Sequence, residues 1–304
     1  MVRLKTKVGG LTLRHPVMTG SGVLGDNPDL IERLINEGAP SAIVTKTLTK
    51  SRREGYLPPV IVDLGCDSFL NAVGLANPGI DVVRELVMAG MKYSTPVIVS
   101  IAGSDVEEFA YLASVSESSG ASAIELNLSC PHVKGLGAEL GRDPNITYEV
   151  VRNVRSVIKV PLWIKLGPWD NVIDVASKSL SGGADALVLV NTLRGMKIDI
   201  YSGRPILTAH IGGLSGRALH PIAVRVVYEV YREFKCDIVG VGGVFDYEGV
   251  IEFLLAGARA VQVVSALIKN PPTIIRELVR GIEGYMSELG FKDLDEIVGY
   301  AHKK

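Results

Sequence analysis

A chain of 304 residues that is 47% hydrophobic and 21% charged, with 33 glycines, has a globular composition and enough length for a large core. Its formal net charge of -1 argues against the basic surface that nucleic acid or an anionic membrane would require. Three cysteines (Cys66, Cys130, Cys236) in no CxxC pair, and five histidines (His15, His132, His210, His220, His302) in no HExxH, exclude a disulfide framework and predict no metal site. The opening MVRLKTKVGG lacks an apolar h-region and no apolar run is long enough to span a bilayer, so a cytoplasmic enzyme is the expectation.

In chain order, Leu4 to Val8 and Leu11 to Arg14 flank Gly9-Gly10, a two-residue hairpin read as a lid over the bottom of the fold. Short apolar strands are then predicted at Val17–Thr19, Ala42–Thr45, Val97–Ile101, Ala123–Leu128, Leu162–Lys165, Ala186–Val190, Asp237–Gly240 and Ala260–Val263. Helical patterns lie between them at Pro28–Glu37, Val82–Tyr93, Val106–Ser118, Tyr148–Lys159, Val172–Leu180, Pro221–Phe234 and Tyr247–Leu255. Eight strands with intervening helices predict an α/β fold, a closed parallel (β/α)8 TIM barrel formed as a single domain over residues 1–304. The long connections Thr47–Gly79 and Leu193–Leu219, rich in Gly, Pro and polar residues, are expected to cover the C-terminal mouth.

Barrel enzymes keep their chemistry at the strand ends. Here those ends carry Gly20-Ser21-Gly22, Lys46-Thr47, Ser100, Asn127 to Cys130, Lys165, Asn191-Thr192, Gly242-Gly243 and Ser265. In ELNLSCPH, Glu125 to His132, Ile124, Leu126 and Leu128 alternate with Glu125, Asn127 and Ser129, the pattern of a half-buried strand that Pro131 ends. Taken alone, Cys130 is as readily a small buried hydrophobe as a reactive thiol. Lys46 and Lys165 follow apolar strand residues, and each is either snorkelling to the rim or holding an anion.

GSGVLG, Gly20 to Gly25, matches a dinucleotide fingerprint, but Asp26-Asn27-Pro28 intervene before any helix and Lys46 stands where a ribose-binding acid belongs. The nicotinamide reading is rejected; Gly20 and Gly22 are expected instead to let backbone approach a flat ligand. Lys46 as a Schiff-base lysine, as in barrel aldolases, is an alternative that gives Cys130 and the asparagines no task. Gly242-Gly243 and Val264-Ser265, after strands seven and eight, occupy the usual place of a phosphate in a barrel. Asn71, Asn127 and Asn191 put three carboxamides at the mouth, suited to a planar ring with alternating N–H and C=O groups, although each alone is as well read as a turn residue.

Taken together, TKTLT (Thr45–Thr49), NAVGLANPG (Asn71–Gly79), ELNLSCPH, WIKLGP (Trp163–Pro168), VNTLRGMKID (Val190–Asp199), RPIL (Arg204–Leu207), GGLSGRALHPIA (Gly212–Ala223) and GVGGV (Gly240–Val244) cover nearly the whole chain. In this order they resemble the class 1 dihydroorotate dehydrogenases, and within them the NAD-linked class 1B catalytic subunits. The resemblance implies FMN in the barrel mouth, its phosphate on Gly242, Gly243, Val264 and Ser265 with Gly216 nearby. It implies Lys165 at the N1–C2 edge of the flavin, with Ser21, Lys46, Thr47, Ser100, Asn127 and Val190 completing the contacts. Dihydroorotate would be held by Lys46, by Asn71, Ala72, Val73, Gly74 and Leu75, and by Asn127, Asn191 and Thr192. Cys130 would be the base that removes the C5 proton while C6 delivers a hydride to flavin N5.

The resemblance further implies a partner subunit carrying FAD and a [2Fe–2S] cluster, two of each chain in a heterotetramer, passing electrons to NAD+ in pyrimidine biosynthesis. Two positions depart from the family pattern: His132 stands where most class 1 members have Asn, and Ser100 where the subgroup often has a flavin-contacting Asn. His132 resembles the uracil-reducing dihydropyrimidine enzymes, which makes an FMN-dependent dihydropyrimidine oxidoreductase the second reading. A catalytically idle FMN-binding scaffold is a third. Cys66 and Cys236 are read as structural.

Overall fold

The computed structural model describes residues 2–128 and 140–303. Eight parallel strands form its centre: β1 (Val17–Thr19), β2 (Ile43–Val44), β3 (Val97–Ile101), β4 (Ala123–Asn127), β5 (Leu162–Leu166), β6 (Ala186–Leu189), β7 (Ile238–Val241) and β8 (Ala260–Val263). Each pairs in parallel with its sequence neighbour from β2 to β8, and β8 returns to β1. The sheet closes between β1 and β2 through Ser41 N–H on Val17 O (2.9 Å) and Thr19 N–H on Ala42 O (3.3 Å). The predicted (β/α)8 barrel is therefore the fold.

Two strands differ from the prediction by a residue at each end. β2 is shorter than predicted, and its Val44 N–H is accepted by the Thr19 hydroxyl rather than by a backbone carbonyl (3.2 Å). β7 begins at Ile238, and the Asp237 side chain before it is held below the barrel, accepting from Gly9 N (2.8 Å) and pairing with Arg259 (3.0 Å).

The helices are α1 (Pro28–Arg33), α2 (Val83–Met91), α3 (Val106–Ser118), α4 (Pro144–Val157), α5 (Val172–Ser181), α6 (His220–Phe234), α7 (Tyr247–Ala256), the four-residue α8 (Ala266–Lys269) and α9 (Ile274–Glu288). α4 starts a turn earlier than its apolar pattern suggests because Asp143 caps it, accepting from Asn145 N (2.8 Å) and Ile146 N (3.3 Å), with Pro144 in the first turn. α9 was absent from the helices read from sequence. It lies beyond the last strand and buries Ile275, Leu278, Ile282 and Met286, one stripe at helical spacing.

Two apolar regions hold this together. The outer faces of the strands pack on the helices through residues such as Leu126, Ile164, Leu187, Phe109 and Phe253. Inside, Met18, Val44, Ile98, Ala123, Trp163, Val188, Val239 and Ala260 fill the lower barrel with Val8 and Leu13 of the N-terminal hairpin. That hairpin, Thr6–Val8 against Leu11–Leu13, closes the bottom as expected: Trp163 is fully buried and its Nε1 donates to Gly9 O (2.9 Å).

His15, just before β1, is held neutral by its surroundings: its Nε2–H donates to Ala39 O (3.0 Å) and its Nδ1 accepts from Val17 N (3.3 Å). Burial, with Arg14 adding to it and the Ala39 hydrogen bond opposing it, pushes His15 down to about 4. The unfolded chain protonates first, near pH 6.5, so this stabilisation is complete above that pH and disappears as pH falls to about 4, a difference on the order of 3 kcal/mol. Urea midpoints measured from pH 7 to 4 should fall for the wild type and fall less steeply for His15→Gln; parallel slopes would refute the assignment.

Candidate active site

Both long connections, expected to cover the mouth, contain strands. Ile61–Gly65 and Ser68–Asn71 form a hairpin in the connection after β2, while Leu193–Gly195 and Gly212–Gly216 come from the connection after β6. They join as one antiparallel four-stranded sheet, with Gly213 opposite Asn71 and Ser215 opposite Phe69. No local pattern announced it, since its pairing joins segments about 140 residues apart in sequence, whose ladder only the closed barrel brings into register.

The hairpin is anchored at its turn. Asp67 pairs with Arg217 (3.2 Å) and Lys269 (3.6 Å), Asp63 with Lys269 (2.9 Å), and Arg217 with Asp246 (2.6 Å), tying the connections after β2, β6 and β7 to α8. Hydrogen bonding to Asp246 and Asp67, against some desolvation, raises Arg217 above its ordinary value.

Between this sheet and the strand ends lies a cleft that opens at the barrel mouth. Into it the structure brings Ser21, Lys46, Thr47, Asn71, Val73, Gly74, Leu75, Asn127, Lys165, Val190, Asn191, Thr192, Gly216, Gly242, Gly243, Val264 and Ser265. Ala72 does not join them: it packs the other way, against Leu70 and Leu207, because side chains alternate along the strand it continues. Ser100 sits beneath the lining, fully buried. Cys130 and His132 lie outside the described residues.

The strand carrying Glu125 and Asn127 is buried along its whole length rather than half-buried: Glu125 is 0% exposed and Asn127 5%. In a barrel the face opposite the helices turns inward, not to water, so the polar half of the alternation fills the interior. Lys165, at 4% exposure, does not snorkel. Its Nζ donates to Ser21 Oγ (3.0 Å) and to Gln262 Oε1 (3.4 Å), and lies 3.8 Å from Glu125 Oε1. Lys46 is nearer the mouth, with Asp26 at 3.8 Å. The carboxamides are oriented by neighbours: Asn127 Nδ2 donates to Thr47 Oγ1 (3.0 Å), Asn191 Nδ2 to Asn127 Oδ1 (3.3 Å), and Ser215 Oγ to Asn71 Oδ1 (3.1 Å).

The glycines serve different ends than their motif suggests. A Cβ on Gly20 would stand 2.5 Å from Val264 and 2.9 Å from Gln262 Oε1, so Gly20 admits the neighbouring strand β8, not a ligand. No helix opens from GSGVLG; α1 starts at Pro28 under the cap of Asn27. Gly243, at φ +69, comes so close to the Gly216 strand end that a Cβ would lie 2.5 Å from Gly216 O. The two turns therefore meet where a phosphate was expected.

Sequence reasoning missed Gln262, Ser215 and Glu125. Gln262 and Glu125 were legible as polar residues at inward positions of apolar strands; Ser215 had no signal apart from the unrecognised sheet. Cys66 is exposed in the hairpin turn at φ +48 rather than packed, while burial pushes the Cys236 thiol up to about 12, in keeping with a structural role.

A model of the family described as dihydroorotate dehydrogenase matches residues 3–286. The chain is 46% identical to a protein of Aeropyrum pernix provisionally named dihydroorotate dehydrogenase A (fumarate), over 99% of this chain and 98% of that one. It is 43% identical to the dihydroorotate dehydrogenase B (NAD(+)) catalytic subunit of Thermoplasma volcanium, over all of both chains. It is 39% identical to the protein of that name from Saccharolobus solfataricus, over 98% and 99%.

Proposed function

We propose, since the chain belongs to the dihydroorotate dehydrogenase family, that it oxidises dihydroorotate to orotate in pyrimidine biosynthesis as the FMN-carrying catalytic subunit of an NAD+-linked enzyme. The observation that carries this is the donor set of the cleft: a buried lysine, a second lysine at the mouth, and Asn71, Asn127 and Asn191 converging between them. The residues fit FMN. Lys165 offers a buried cation in the cleft lining, and the glycine turns at Gly216 and Gly242-Gly243 line the same cleft with Ser265, bringing backbone and a hydroxyl suited to a phosphate. When bound, FMN takes up the hydride that leaves C6 of dihydroorotate.

The chain's own residues do the rest. Lys165 would stabilise negative charge at the N1–C2 edge, with Ser21, Thr47, Val190 and Val264 around the ring. Lys46 would meet the substrate carboxylate, and Asn71, Val73 to Leu75, Asn127, Asn191 and Thr192 would hold its amide and carbonyl edges. Cys130 would take the proton from C5. Residues 1–304 would act as one barrel domain in the cytoplasm; among the described residues no helix is long and apolar enough to cross a membrane.

The relatives' name, catalytic subunit, supports a partner, here one bearing FAD and a [2Fe–2S] cluster in an assembly of two of each chain. Ile200 and Tyr201, 84% and 95% exposed on the connection after β6, offer apolar surface for such association.

The test is anaerobic mixing. The purified protein should be yellow and release FMN on denaturation, and dihydroorotate should bleach it faster than dihydrouracil. Lys46→Ala, with FMN occupancy checked, should lose about 1.5–3 kcal/mol of dihydroorotate affinity and little dihydrouracil affinity. Equal losses, or faster bleaching by dihydrouracil, would transfer the assignment to a uracil-type enzyme. A protein that cannot take up FMN would return the Schiff-base reading of Lys46.

A further inference from the structure

We propose that Glu125 is a positioning residue that holds the Lys165 ammonium in place and offsets its charge, setting how strongly the site stabilises an anionic flavin; this rests on the FMN reading above. No step of the reaction uses Glu125, yet it stands at the centre of the barrel with 0% exposure. A buried carboxylate persists only where a cation and hydrogen-bond donors surround it. Glu125 has both: Oε2 accepts from Gln262 Nε2 (2.7 Å), Oε1 accepts from Ser100 Oγ (3.2 Å), and Lys165 Nζ lies 3.8 Å from Oε1.

The geometry separates the roles of these neighbours. At 3.8 Å the ammonium is beyond hydrogen-bond distance of the carboxylate, so their direct coupling is one of charge. Gln262 spans them, donating its amide N–H to Glu125 and accepting from Lys165 through its carbonyl (3.4 Å). With Ser21 accepting a second proton (3.0 Å), two of the three ammonium donors are engaged among the described residues, leaving the third for a ligand in the cleft. From the other side, donors run in one direction toward Glu125. Asn191 donates to Asn127, Asn127 to Thr47 and Ser100 to Glu125, and the Thr47–Ser100 contact (3.0 Å) completes the series when Thr47 donates. The carboxylate thus orients the residues that face the substrate as well as the lysine that faces the flavin.

Sulfite reads this charge without turnover. Its sulfur lone pair adds at flavin N5 and the displaced electron pair settles on the N1–C2 carbonyl edge, so affinity reports how well the site stabilises that anion. In FMN-loaded Glu125→Gln, which keeps the shape and removes the charge, sulfite should bind at least about tenfold tighter and the flavin potential should rise. Unchanged or weaker sulfite binding by FMN-loaded Glu125→Gln would overturn the proposal and leave the FMN reading standing; a wild-type chain that takes up no FMN would overturn both.

If Glu125→Gln fails to fold, the double variant Lys165→Met/Glu125→Gln removes the pair together, which buried pairs tolerate better. An offset lysine predicts that the double variant weakens sulfite binding by less than about tenfold; a loss near a hundredfold would show that Lys165 acts unopposed and overturn the proposal.

Discussion

Replacing Cys130 by alanine is expected to leave FMN and dihydroorotate bound while slowing flavin reduction by about 10²–10⁴-fold, the usual contribution of a positioned general base. The strand that leads to Cys130 ends beside the assigned site. β4 ends with Asn127 in the cleft, and Leu128 N–H is fastened to Lys165 O (3.3 Å), so the chain leaves the barrel beside the two residues assigned to flavin and substrate. The thiolate is the basic form of a thiol, so the bleaching rate should rise as pH is raised toward the ordinary thiol value of about 8.5.

The other two cysteines are built-in controls. Cys236 is pushed up to about 12 by burial at the bottom of the barrel, and Cys66 is exposed at a hairpin turn. Cys66→Ser and Cys236→Ser should therefore reduce at the wild-type rate. Near-normal reduction by Cys130→Ala, read by stopped-flow bleaching, would remove that residue from the mechanism.

The second large effect concerns the oxidant. On the NAD+-linked reading proposed above, the chain alone should reduce NAD+ only very slowly, and a partner subunit should restore the reaction. GSGVLG, the only fingerprint of its kind read from the sequence, packs Gly20 against β8 and opens no helix N-terminus toward a pyrophosphate. The chain has three cysteines, and a [2Fe–2S] centre of the all-cysteine kind needs four thiolates. Steady-state NADH formation, with and without a co-expressed FAD and iron–sulfur subunit, checks this. Efficient NAD+ reduction by the lone chain would refute it, and so would fast turnover with fumarate, the oxidant in the name of the Aeropyrum pernix relative.

The sequence by itself determined the barrel, its plugging hairpin and most residues of the cleft. Those features depend on local regularities: eight short apolar runs at barrel spacing, a Gly-Gly turn, and polar groups placed just past each run. Because every strand of such a barrel delivers its end to one face, reading the ends in order amounts to reading the cleft, and Lys46, Asn127, Lys165 and Asn191 were found that way.

Tertiary structure alone decided what depends on long-range pairing or on the inside of a closed sheet. The antiparallel sheet over the mouth unites Ser68–Asn71 with Gly212–Gly216, and neither segment carries a strand pattern strong enough to stand alone. Ala72 turned out to face away because that sheet sets its alternation. Glu125 looked like the wet side of a half-buried strand; closure of the barrel removed the water and obliged Gln262, Ser100 and Lys165 to take its place. A period of two tells which residues share a face, but only the closed sheet says what that face meets.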